Sequence, residues 1–403
     1  MLSIAAIPVS TAGVNLATGI LLAFALCSPE AWRALPGLVK SPAVVAAVAL
    51  FVALGASLLY TPADMSEAVD ILLKYRKLLL LPVLLLVFQG EECLKWGRAA
   101  VWALFATLTL AMVLTYTNFF GWTAVGPMHG TQGPVSKPWV FKDHISGGLM
   151  MAFLAYLSMA LSEAAAKPAW RRLLYLNALL ALVNVLLVLQ GRTGQVVAIV
   201  YIVVYMARWL TRLHRERVDR VRAGATLIVL MVCTTLAYHA FTAGDSRLAH
   251  TGREIASFRQ SNAVTSAGVR FEFYRRSIEL FAERPVAGYG VGSVLPEFER
   301  FAKNQTGGDA VMASNPHNEF LLMGVQLGSI GIALFLWLLI ALYGECRRID
   351  PLAQTIVFGY LIAFCVGCLA NSLLLNFTEG NLFVLLSGIL IYSGRLESIK
   401  KTS

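Results

Sequence analysis

Eleven apolar runs constrain this chain more than any other feature: 4–27, 42–60, 71–89, 97–117, 145–163, 173–190, 193–210, 223–242, 318–343, 352–374 and 380–394. A helix rises about 1.5 Å per residue, so roughly 20 apolar residues cross the ~30 Å hydrocarbon core of a bilayer. In lipid each backbone N–H and C=O must be bonded internally, which leaves a helix as the form for such a run. The expected fold class is therefore all-α: a polytopic integral membrane protein with about 11–12 transmembrane helices. A twelfth element would hide in the first run, broken by Pro8 and Gly13, or in 318–343. The charge content agrees, since only 14% of the 403 residues are charged and 58% are hydrophobic. A soluble domain carries about a quarter charged residues. The 4–27 run lacks a basic flank and is too long for a signal-peptide core, so no cleavable signal is expected.

The net charge of +10 raises nucleic acid as a partner, but the distribution excludes it. Basic residues crowd into short connections: TRLHRERVDRVR at 211–222, Lys167 with Arg171 and Arg172, Arg347 with Arg348, and Arg395 with Lys400 and Lys401. That is the positive-inside pattern of membrane topology. Placing these loops in the cytoplasm puts 61–70, 118–144, 191–192, 243–317 and 375–379 outside. The chain then divides into a bundle at 1–242, an outer loop at 243–317 and a second helical part at 318–403. The loop carries structure of its own. Val269 to Arg284 reads as an amphipathic helix ending at Pro285, with Phe271, Tyr274, Ile278 and Phe281 on one face. GYGVG (288–292) reads as a turn and Pro296 to Asn304 as a second short helix, both helices lying on the membrane interface. The six cysteines include a CxxC, Cys365 and Cys368, inside an apolar run without a neighbouring His or carboxylate, so metal binding is not expected of it.

The stretch SNPHNEFLLMGVQLGSIG (314–331) places an ionisable ring, His317, where the loop becomes an apolar helix. Asn315 suits the N-cap and Pro316 the first helical position. His317 in the first turn would feel the positive end of the helix dipole and stay neutral, able to accept a proton. Gly324, Gly328 and Gly331 would let another helix approach closely. A histidine that merely caps a membrane helix gives the same local pattern.

Other charges stand out of place. Lys74, Arg76 and Lys77 enter the 71–89 run at its outer end, where charge is costly and marks function unless it snorkels to lipid phosphate. Arg192 sits in the tight QGRTGQ turn, and Arg270 opens the loop helix. Guanidinium forks and ammonium groups beside an apolar groove suit a lipid-linked diphosphate. Lys142, Asp143 and His144 precede the 145–163 run. Asn371, Ser372, Asn376 and Glu379 interrupt or follow the 352–374 run. These groups bind sugar or hydrogen-bond between helices, and Lys142 and Glu379 stay open between the two.

His317-Asn318, nine residues, Gly328, two residues, Gly331 resembles the H-[NSQ]-x9-G-x-x-G signature of O-antigen ligases and the related polymerases. QGRTGQ resembles that family's arginine before a membrane helix. VRFEFYRRSIELFAERPVAGYGVG is similar to its outer loop, with an arginine before a helix and a P-x-x-G-x-G turn. The likeness covers roughly 185–395. It implies a GT-C-like fold and an inverting, metal-independent glycosyltransferase without cofactor in a Gram-negative inner membrane. The donor would be an undecaprenyl-diphosphate-linked glycan and the acceptor the lipid A–core, alongside membrane lipids and without nucleic acid. His317 would be the base; Arg192, Arg270, Lys77 and Arg76 would hold the diphosphate; Asn318, Lys142 and Glu379 are further candidates. An O-antigen polymerase shares the chemistry. The absence of a second long outer loop points towards the ligase; protein O-oligosaccharyltransferases, which share the signature, would be expected to carry an added C-terminal soluble domain. A lipid-linked glycan transporter would need charges near the bilayer midplane instead.

Overall fold

The computed structural model describes residues 1–88, 93–126, 133–189, 191–215, 231, 235, 247–303 and 305–402. Among them the regular structure is helical, without a strand. The principal helices are α1 (Thr11–Cys27), α2 (Pro42–Ala56), α3 (Met65–Lys74), α4 (Leu80–Val87), α5 (Cys93–Phe119), α6 (His144–Ala164), α7 (Pro168–Val183), α8 (Arg192–Arg215), α9 (Arg247–Ser261), α10 (Ser266–Glu283), α11 (Val294–Ala302), α12 (Glu319–Cys346), α13 (Pro351–Cys368) and α14 (Phe377–Thr402). Seven stretches among the described residues are long and apolar enough to cross a membrane: Pro42–Leu59, α5, α6, Pro168–Val188, α12, α13 and Phe377–Gly394. The chain is an all-α polytopic membrane protein. The expected run at 223–242 lies almost wholly outside the described residues.

Several helix starts follow from local chemistry. Ser41, Asp143 and Asp350 each cap the helix that follows by accepting from its first free N–H groups, and Pro42 and Pro351 occupy the first turn where an N–H is dispensable. Two apolar runs are shorter as helices than their hydropathy suggests. The 71–89 run breaks between α3 and α4 into a tight turn at Arg76–Leu79. The 352–374 run leaves the helix after Cys368. Both departures meet at Lys77, described below.

The described residues form two compact units, Met1–Ala103 with Thr251–Ser403, and Leu104–His250. In the second unit α6 packs between α7 and α8. Backbones touch there: a methyl on Gly194 would lie 2.4 Å from the Gly148 carbonyl carbon. Asn177 donates to Ser158 Oγ at 2.9 Å across α7 and α6. In the first unit α2 packs along α12, α10 lies on α12, and α14 packs on α4 and α13. Phe364 and Phe383 stack at 4.0 Å between α13 and α14.

The loop helices form close to expectation, and the side of α10 that packs on protein is the one opposite its apolar stripe. Phe271 and Ile278 are exposed, and Tyr274 and Phe281 half-buried. The covered side is Glu272, Phe273, Arg276, Ser277 and Leu280. The Arg276 guanidinium reaches Glu272 at 2.9 Å and the Val311 carbonyl at 3.1 Å. Burial alone would raise the Glu272 carboxyl; hydrogen bonds from Arg275 and Arg276 outweigh it and hold the group below its ordinary value.

Gly328 of α12 serves a purpose other than helix–helix approach. Gly328 adopts φ 62°, ψ −149° and breaks the helix. The bonds that Ser329 and Ile330 would make to Val325 and Gln326 are exchanged for bonds to the loop. Ser329 N–H donates to Pro285 C=O (2.7 Å) and Ile330 N–H to Val286 C=O (3.3 Å). In return, Tyr289 and Gly290 N–H donate to the freed carbonyls of Val325 and Gln326, each at 2.8 Å. A break inside an apolar helix is tolerated when every freed group finds a new partner. A Cβ on Gly288 would lie 2.5 Å from Val325 O, and one on Gly328 would lie 2.4 Å from Val286 O. The turn is tied on its other side by Tyr60 to Ala287 C=O and Thr61 to Val291 C=O, both at 2.8 Å.

Candidate functional site

α12 starts three residues later than its sequence suggests. Asn318, not Asn315, is the N-cap: its Oδ1 accepts from Leu321 N–H at 3.1 Å and its Nδ2 donates to Leu369 C=O at 3.0 Å. Asn315 instead turns back on the loop, accepting the His317 N–H at 2.9 Å. His317 thus precedes the helix and sits at φ 55°, in the left-handed region. That conformation costs a non-glycine residue about 1–3 kcal/mol unless its surroundings enforce it. They do so here, since the Tyr274 hydroxyl donates to His317 C=O at 3.2 Å and to Leu369 C=O at 2.9 Å, one proton shared between two carbonyls.

The imidazole stacks on Phe273, with centroids 6.2 Å apart and planes at 22°. It is half-buried. Burial first, and the Arg270 guanidinium second, lower its pKa to about 4. The neutral ring expected from the sequence is present in this geometry, but from a different cause. Arg270, Phe273 and Tyr274 share one edge of α10, so a single helix supplies the cation, the stacking partner and the hydroxyl that fixes the histidine backbone.

Lys77 is 5% exposed. Its ammonium donates to the carbonyls of Leu374 (2.9 Å), Leu375 (3.2 Å) and Asn376. An ammonium has three N–H donors and all three are used here. Arg76, next to it, is exposed. Glu379 is buried, its carboxylate acting on Lys77 through the field, and its carbonyl accepts from Tyr360 at 3.1 Å. Glu319 escaped the sequence reading. It is fully buried, and its Oε2 accepts from Leu374 N–H at 2.8 Å and Leu375 N–H at 3.4 Å. The signal was available, because a carboxylate entering an apolar run is as costly as the lysine that was noticed.

Arg192 and Lys142 belong to the other unit. Arg192 opens α8, and a methyl on the preceding Gly191 would lie 2.2 Å from His144 C=O. Gly191 therefore lies against the start of α6, at His144. Asp143 is occupied as the α6 cap, accepting from Ile145 and Ser146 N–H at 2.9 and 2.8 Å.

A family model for O-antigen ligase matches residues 177–336. The span takes in Arg192, Arg270, His317, Asn318 and the broken part of α12, and leaves out Arg76, Lys77, Lys142 and Glu379. No curated protein matches the chain.

Proposed function

With the match of residues 177–336 to the O-antigen ligase family model as the premise, we propose that this membrane protein transfers O-antigen polysaccharide from undecaprenyl diphosphate to a sugar hydroxyl of the lipid A–core, on the periplasmic face of a Gram-negative inner membrane. The observation that carries the reading is the neutral imidazole of His317, held in a left-handed turn beside Arg270.

The acceptor oxygen attacks the anomeric carbon as its proton passes to His317. A positioned base contributes roughly 10² to 10⁴ in rate. The bond from that carbon to the diphosphate oxygen breaks on the opposite face, so configuration inverts. Negative charge grows on the leaving diphosphate, and Arg270 with the exposed Arg76 stabilises it without a metal ion. The same guanidinium disfavours imidazolium before the reaction, which keeps the base ready. The resemblance adds Arg192 to the diphosphate ligands, and Lys142, outside the stretch that the resemblance covers, is a candidate for the glycan. Asn318 shapes the turn rather than meeting the sugar.

Purified protein, lipid-linked donor and acceptor in detergent test the proposal. His317→Ala should abolish transfer while protein level and donor binding persist. Full activity in that variant removes the base. Loss of activity on chelation removes the metal-free account. A product in which repeat units join on the lipid carrier, with no lipid A–core product, assigns the chain as a polymerase.

A further inference from the structure

The backbone at 374–376 is gripped by opposite charges from two distant parts of the chain. Lys77 takes the carbonyls of Leu374, Leu375 and Asn376. Glu319 takes the N–H groups of Leu374 and Leu375. The peptide group between Leu374 and Leu375 therefore has its oxygen on an ammonium and its N–H on a carboxylate. The two charged groups are at most 5% exposed. Room for the ammonium depends on Gly380, where a Cβ would lie 2.7 Å from Lys77 Nζ.

This segment leads to the histidine by two routes. Ser372 Oγ donates to Asn315 Oδ1 at 3.4 Å, the same oxygen that takes the His317 N–H. Leu369 C=O accepts from Asn318 and from Tyr274, whose hydroxyl also holds His317 C=O. We propose that Lys77 and Glu319 are positioning residues: they clamp 369–376, and that segment keeps the His317 backbone in its left-handed turn facing Arg270. Lys77 acts through the protein and not on the donor diphosphate. The proposal rests on the glycosyl-transfer reading of His317.

The physical signature is coupling. A buried charge stripped of its counterpart is strongly destabilising, and removing the counterpart charge as well relieves that part of the cost. Lys77→Met, Glu319→Gln and the double variant should be compared with wild type for membrane level, thermal midpoint, kcat of the monodisperse fraction, and binding of undecaprenyl diphosphate. Each single variant should lose about tenfold or more in kcat, with diphosphate-lipid affinity kept within about twofold, and the double variant should be no slower than the worse single. A scaffold role alone would lower the midpoint and spare kcat of the folded fraction, which overturns the proposal. Tenfold weaker lipid binding in Lys77→Met also overturns it, by making Lys77 a phosphate ligand. Effects that multiply overturn the clamp. If a single variant is lost from the membrane, recovery in the double variant supports coupling and equal loss refutes it. His317→Ala in the same assay separates the two claims. Retained transfer there sinks the base, while the level and midpoint comparison still reports on the clamp.

Discussion

At the scale of residues, His317 shows how a reactive group is prepared by backbone and burial together. Its ring loses water on one side to Phe273 and feels the charge of the Arg270 guanidinium. With the pKa lowered from about 6.5 to about 4, the ring stays neutral through the mildly acidic range. The acid limb of kcat/KM should therefore lie near pH 4, well below that of a free imidazole. Arg270→Gln removes the repulsion, so the limb should move upward. The move should be partial, because burial is the larger cause. A limb that stays put or moves down excludes the guanidinium as a neighbour of the base. Stability follows the same sign. Between the folded value and the unfolded value near 6.5 the unfolded chain binds the extra proton. Acidification from pH 7 through this window should lower the thermal midpoint of wild type, and less so that of His317→Ala.

At the scale of elements, the exchange of hydrogen bonds between the 285–290 turn and α12 makes the loop part of a membrane helix. Four backbone bonds depend on it. A side chain at Gly328 meets both a φ of 62° with an extended ψ, which only glycine adopts readily, and the Val286 carbonyl. Gly328→Ala should reduce stability by several kcal/mol, since displaced backbone groups inside lipid cost that much each. Thermal unfolding in detergent measures it. Gly324→Ala, which meets side chains alone, the Phe281 ring edge at 3.2 Å and Ile332 Cδ1 at 3.4 Å, should cost far less. Equal effects at the two glycines argue against the exchange. The motif H-N-x9-G-x-x-G thus reads physically as a capped helix start followed, nine residues on, by the break that receives the loop.

For the whole molecule, the first unit joins residues from both ends of the chain, 1–103 and 251–403. It assembles Arg270, His317 and the clamp from four separate elements: α10, α12, the turn before α4 and the segment before α14. Glu345 at the far end of α12 ties the start of α2, accepting from Ser41 Oγ at 2.6 Å and Ala43 N–H at 3.1 Å. Under the ligase assignment, a strain lacking this protein should accumulate full-length lipid-linked O-antigen above rough lipopolysaccharide on a gel. Core carrying one repeat unit instead assigns it as a polymerase.

Hydropathy determined the all-α membrane class, because lipid admits no unpaired backbone in a long apolar run. Short-range chemistry determined many boundaries as well: Asp-Pro before α13, Ser-Pro before α2, Pro285 after α10. The sequence also brought His317 and Arg270 forward, since polar groups at the edge of apolar segments are conspicuous. It was silent on what those groups touch. Asn315 and Asn318 are both good caps, and only the packing of Leu369 and Leu321 selects Asn318. Lys77 stood out as a charge entering an apolar run, and only the fold brings three carbonyls to it from some 300 residues away in sequence. Periodicity gave α10 a greasy stripe, yet the tertiary contacts bury the opposite side with a paired Glu272 and Arg276. Local pattern reports the cost of exposing or burying a group. Which distant partner offsets that cost is decided by the folded chain alone.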